Sequence, residues 1–205
     1  MARPRTFDSD SVLSSVMTLF WQQGYEATSI RDLERASGLT APSLYGAFGN
    51  KEALFTAALQ RYVDTVIVPA IEAATALGLP GVRAMFISIA DKDPALPRGC
   101  LLAVTSCEAA ELGDPPLEVL ELGLGHLRAA LRNGLVFGIA VGLLDPTIDP
   151  SATADALVAL HQGIQVLYRS SPDHVDVRAI ATVVLDRLLP PPPAPLSEVP
   201  ARPRM

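Results

Sequence analysis

The chain has 205 residues, 49% hydrophobic and 19% charged, which excludes a disordered chain and allows one sizeable core or a small module joined to a larger one. Its net charge of −6 counts against a nucleic-acid partner, which usually meets a basic surface. The deficit is unevenly placed, however: residues 1–61 hold six basic and six acidic side chains, and the other 144 hold ten and sixteen. A neutral N-terminal part on an acidic body can still bind phosphate, provided its few cations and backbone amides face one way.

Two cysteines, Cys100 and Cys107, make neither a zinc framework nor a secreted disulfide scaffold, and no metal or cofactor is expected. The N-terminus lacks the apolar core of a signal peptide, and apolar runs such as 135–144 are too short to span a bilayer. The expectation is a cytoplasmic protein with no membrane partner.

In chain order, the first helical period covers 8–23, where Val12, Leu13, Val16, Met17, Leu19 and Phe20 repeat and Gly24 is placed to end the helix. A second helix should start at Thr28 or Ser29. Asp32, three residues after Ser29, supplies a relative of the capping box, and Ile30, Leu33 and Ala36 form the inner face. Ser37-Gly38 stops it. Thr40 should cap a third short helix with Pro42 in its first turn, where a missing amide costs little. Gly49-Asn50 breaks that helix before a fourth opens at Lys51. Further helices are expected at 69–77, 81–90, 99–112, 116–141, 151–170 and 175–189, separated by Gly/Pro breaks. No stretch alternates apolar and polar residues, so no sheet is expected. Residues 190–205 hold seven of the eighteen prolines and read as an extended or disordered tail.

Two short helices joined by a Gly-containing turn form a helix-turn-helix, a weak signal alone. It is sharpened by the order R-P-R-T-F-D, then L-F-W-Q-Q-G-Y-E-A-T-S-I-R-D-L, then A-S-G-L-T-A-P-S-L-Y-G-A-F-G-N-K-E-A-L-F. This run resembles the tetracycline-repressor (TetR) family of bacterial regulators over roughly the first 60 residues. A local echo of one branch persists at Arg98-Gly-Cys-Leu-Leu102, with Glu108 beyond it. The resemblance implies an all-α protein: a three-helix helix-turn-helix DNA-binding domain over 1–50, then a helical effector-binding and dimerisation domain over 51–189. It also implies a homodimeric repressor of a palindromic operator, released by a small effector.

Carried onto this chain, the helix from Thr40 would enter the major groove and present Thr40, Ala41, Pro42 and Ser43 to base edges. Tyr45 and Lys51 would hold phosphates, and the helix start at Thr28 and Ser29 would aim amides and a hydroxyl at another. Arg31 could reach a phosphate or a guanine, and Arg3 and Arg5 could add contacts from a mobile arm. Gly46 departs from the family pattern, since many members carry a large side chain there.

In the body, Leu157, Leu160, Ile164, Leu167 and Tyr168 form one apolar stripe and Ile180 and Val184 belong to another, as a four-helix dimer interface requires. Candidate effector contacts are Met85, Phe86, Ile89, Cys100, Val104, Cys107, His126 and Phe137, although residues of this kind are more often plain core than ligand contacts. Their apolar character points to an apolar or aromatic effector.

An enzyme has little support, because the chain has no G-x-S-x-G, H-E-x-x-H or P-loop. The remaining rival is a thiol redox sensor on the same scaffold. Cys100 and Cys107 would be about 10 Å apart along an intact helix, too far for a disulfide, and read more simply as two small buried hydrophobes.

Overall fold

A computed structural model of the chain describes residues 8–189 apart from Lys92 and Pro94. The expectations for Arg3, Arg5 and the tail at 190–205 lie outside the described residues. Among those described there is no strand. The helices are α1 (Ser9–Gln23), α2 (Ile30–Ser37), α3 (Ala41–Phe48), α4 (Lys51–Tyr62), α5 (Val68–Ala76), α6 (Leu79–Ile87), α7 (Leu101–Cys107), α8 (Asp114–Ala140), α9 (Pro150–Ser170) and α10 (Val177–Leu188).

Local chemistry fixes the first three. Asp8 caps α1 through the amide of Asp10, and Gly24, at φ +87°, ends it. Ser29 caps α2 in a reciprocal box: its Oγ accepts the Asp32 amide while the Asp32 carboxylate accepts the Ser29 amide. Those bonds, Ser29 first and then Arg35, hold the Asp32 carboxyl below its usual pKa. Thr40 makes no capping bond with its side chain; Glu34 from α2 reaches across to accept the Ala41 amide at 2.7 Å. One helix thus caps the next, which fixes the angle between them.

The break expected at Pro69 is absent. α4 runs through a π-helical turn at Val63–Ile67 straight into α5, so Lys51–Ala76 is one continuous rod. Proline inside an α-helix clashes with the carbonyl four residues back and cannot donate. The π-turn, closed by Val68 N–H donating to the Val63 carbonyl, takes up an extra residue there and lets the rod pass Pro69. By length and composition this rod could cross a membrane, in contrast to the short apolar runs read from sequence. Its apolar face is instead buried as core: Leu54, Phe55, Ala58 and Leu59 lie in its first half, and Tyr62, Val63 and Ile67 further along.

One apolar cluster therefore runs from Val12 to Leu189 without a gap at Lys51. Phe20, Tyr25 and Phe55 interlock in the N-terminal part, and Trp21 packs edge-on against Tyr62 with centroids 4.8 Å apart. α8 and α9 form the spine of the body, tied at the surface by Arg128–Asp155. The helix expected over 99–112 is shorter. Cys100 is its extended N-cap, and the α-turns stop at Cys107 before a 3-10 turn at Ala109–Glu111. Ile30, expected on the inner face of α2, is instead 47% exposed.

Candidate nucleic-acid interface and effector cavity

The N-terminal turn of α3 offers Thr40, Pro42 and Ser43 to solvent, with Ala41 and Tyr45 half-buried behind them. Thr40 and Ser43 hydroxyls lie 3.1 Å apart and hold each other in place. Ser29 and Arg31 are exposed at the start of α2. Thr28 is not available beside them: it is 1% exposed, and its hydroxyl donates to the Gly24 carbonyl. Its side chain therefore cannot meet a phosphate, and the capping role falls to Ser29 alone.

Lys51 occupies the first position of α4, where the helix dipole disfavours a cation. Its Nζ stands 4.5 Å from the centroid of the Tyr25 ring, a cation–π contact that offsets the unfavourable placement. Burial, then the negative charges of Glu52 and Glu26, push the Tyr25 hydroxyl pKa up, so the ring stays neutral beneath the lysine. Sequence reasoning missed Tyr25 as a support for Lys51.

The body grips this head at two points. Arg169 of α9 donates to the Trp21 and Gln22 carbonyls, both at 2.6 Å, placing a cation on the C-terminal end of α1. Glu108 accepts the amides of Tyr25 at 2.8 Å and Glu26 at 3.2 Å. The Arg98-Gly99-Cys100 segment supports this grip. Gly99, at φ +85°, lies so close to α9 that a Cβ would come within 3.1 Å of the Gln165 carbonyl. Arg169 had no sequence signal; Glu108 had only the family echo.

A cavity of about 300 Å³ opens in the body between the Lys51–Ala76 rod, α6, α8 and α9. Of the residues expected as effector contacts, Met85, Ile89 and Cys100 line it and the others do not. Phe86 is fully buried, packed edge-on against His161 with centroids 5.5 Å apart. His126 faces solvent on α8, one residue from the Leu127 that does line the wall. Phe137 is 54% exposed and edges a neighbouring cavity, while Val104 and Cys107 line a third one beside Glu108 and Arg169. Cys107 is exposed, not a buried hydrophobe. His161, Gln165 and Tyr62 are buried polar wall residues that sequence reasoning missed, along with the apolar wall from Val66 to Leu77.

The apolar stripes divide as well. Leu157 and Ile164 point into the subunit's own core at 0% and 1% exposure, so they cannot meet a second copy. Leu160, Tyr168, Ile180 and Val184 are half-buried and Leu167 is exposed. The open face consists of Ala156, Ala159, Gly163, Val166 and Leu167 on α9, with Val183 on α10.

Residues 12–58 match the family described as bacterial regulatory proteins, tetR family, and residues 78–183 match the tetracyclin repressor-like C-terminal domain. The chain belongs to the TetR family. It is 34% identical over 195 residues to the HTH-type transcriptional repressor ComR of Escherichia coli K12, covering 89% of this chain and 90% of that one. A solved structure of the TetR family regulator CifR, a cysteine-substituted form complexed with 26-bp operator DNA, is 30% identical. It superposes at a TM-score of 0.74, over 91% of this chain and 98% of that chain. Reduced NemR of E. coli shares the fold at 20% identity and a TM-score of 0.76, over 90% of this chain and 98% of its own. As a TetR member the chain is a DNA-binding transcriptional regulator.

Proposed function

We propose that the chain is a homodimeric repressor that grips a palindromic operator through α2 and α3 and lets go when a small apolar molecule fills the central cavity. The observation that carries the reading is the exposed first turn of α3 (Thr40, Pro42, Ser43), with Ser29 and Arg31 at the start of α2 and Lys51 held on Tyr25 at the start of α4. Short side chains on α3 leave base reading to hydroxyls, methyl contacts and DNA shape. The flanking amides and cations grip phosphates. Two heads must sit about one helical turn apart, roughly 34 Å, which a dimer through the open faces of α9 and α10 supplies. No catalytic role is proposed, and the site of action is chromosomal DNA in the cytoplasm.

Occupation of the cavity has a direct mechanical route to the head. Tyr62, Val66 and Ile67, at and beside the π-turn, form part of its wall, and the same rod begins at Lys51. A ligand that binds the splayed heads better shifts the population away from the DNA-competent spacing. Burying about 200 Å² of apolar ligand surface supplies roughly 5 kcal/mol at 25 cal/mol per Å², enough to drive such a shift if it is realised in one state only.

A mobility-shift titration on the intergenic DNA beside the protein's own gene tests the reading. Retardation of a fragment holding an inverted repeat, resistant to excess random DNA, is the expected result. Equal affinity for random DNA would end the repressor reading.

A further inference from the structure

Among the described residues, the wall of the central cavity contains no Asp, Glu, Lys or Arg. Its rim joins the exposed Leu77 to small exposed residues, Ala70, Ala73, Ala84 and Ser88, which leave a way in between α5 and α6. Its buried polar groups are gathered elsewhere. The Tyr62 hydroxyl donates to Cys100 Sγ at 3.4 Å, and both residues are 1% exposed. His161 and Gln165 lie one turn apart on the inner face of α9, 7% and 3% exposed. The Gln165 backbone carbonyl borders Gly99, the residue before Cys100, so α9 passes close to the Tyr62–Cys100 pair, and all four residues line the cavity.

We propose that the effector is a neutral, slender amphiphile of about eight to ten heavy atoms. It carries one uncharged hydroxyl or carbonyl head among Tyr62, Cys100, His161 and Gln165, and a hydrocarbon tail lying against the alanine rim. This rests on the central cavity being the effector site. The size follows from the volume: about 300 Å³ holds roughly ten water-sized groups at ~30 Å³ each. The neutral head follows from the wall. A carboxylate or ammonium buried there meets no opposite charge among the described wall residues and pays its desolvation cost. Imidazole and carboxamide can each donate to or accept from a hydroxyl or carbonyl, which fixes the head without demanding charge. Burial, then the adjacent thiol of Cys100, raise the Tyr62 pKa well above its ordinary value, so the phenol stays neutral across the physiological range.

A matched series on the full chain tests the head group: 1-octanol, 2-octanone, octanoate and octylammonium, titrated calorimetrically at neutral pH and added to the operator complex. The two neutral compounds should bind at least tenfold more tightly than the two ions and release DNA. Tyr62→Phe with Gln165→Leu should weaken 1-octanol about tenfold and leave 1-chlorooctane within threefold. A second variant, Ala73→Trp, fills the rim from an exposed position and should block every member. Ions that bind as well as the alcohol, and are blocked by Ala73→Trp, overturn the neutral head while the cavity stands. Binding of any member that Ala73→Trp does not affect removes the cavity itself as the effector site. Failure of all four to bind overturns the proposed ligand class.

Discussion

The carboxylate of Glu108 accepts the backbone amide of Tyr25 at 2.8 Å, joining the turn that follows α1 to the end of α7. The Tyr25 ring in turn carries Lys51, so a body residue positions a candidate DNA-contacting cation through one intermediary. Glu108→Ala leaves the part-buried Tyr25 amide and the exposed Glu26 amide without this acceptor, a loss of about 1–3 kcal/mol that falls mainly on Tyr25. Operator affinity should fall about tenfold while far-UV circular dichroism stays unchanged. Amide exchange should quicken at Tyr25 and Glu26. A lower melting temperature with unaltered operator affinity would make Glu108 merely structural.

The head was legible in the sequence because its signals are local. Ser29 with Asp32, Pro42 in the first turn of α3, and glycines 24, 38 and 49 after the helices each act within a few residues. The body was less legible because its side chains answer to distant partners. The period of α9 groups Leu157 with Leu160 and Leu167, but only contact with the other helices decides that Leu157 is core and Leu167 open. Pro69 reads as a break unless the π-turn before it is known. Arg169 looks like a solvated arginine until the carbonyls of Trp21 and Gln22, almost 150 residues earlier, are seen beside it.

Lys51→Ala should weaken operator and random DNA by similar factors, since a phosphate contact carries little sequence information. The slope of log affinity against log salt should become shallower by about one unit. Tyr25→Leu removes the ring beneath the ammonium and should reproduce part of that loss, with no further loss in the double variant. Titrations across a salt range measure both, and an unchanged slope rules Lys51 out as a phosphate ligand.

Gly46 is exposed on α3, and a Cβ added there meets nothing within 4 Å. Its φ is not in the left-handed region, so nothing in the backbone demands glycine. Gly46→Ala should stabilise the fold by about 0.5–1 kcal/mol through helix propensity. Gly46→Lys should tighten binding to all duplexes and steepen the salt slope. Thermal melts and salt titrations read these effects. A destabilised alanine variant would mean that this glycine is needed for more than packing space.

The thiols separate by accessibility, Cys107 exposed and Cys100 buried. Native protein should lose one titratable thiol to iodoacetamide, at Cys107, and the second only in denaturant. A Cys107→Ser variant should still bind operator and still release it on adding ligand. Release by mild peroxide in the wild type, lost in this variant, would move the trigger from the cavity to the exposed cysteine.

The open faces of α9 and α10 set the last expectation. Val166, Leu167 and Val183 are 39%, 48% and 65% exposed, and Ala156, Ala159 and Gly163, on the same face of α9 as Val166 and Leu167, are small enough to let a second helix approach closely. Leu167→Glu with Val183→Glu places carboxylates on a surface already in water within one subunit, so the monomer should keep its helicity. Across a dimer the same carboxylates face apolar partners without compensation, which costs several kcal/mol per interface. Sedimentation at micromolar concentration should show a wild-type dimer and a folded monomeric variant, with operator affinity lost as the two heads part. Ile164→Glu is the contrast: it buries a charge in the subunit's own core and should unfold the chain outright. A wild-type monomer, or a variant that stays dimeric, would show that these faces do not join the copies.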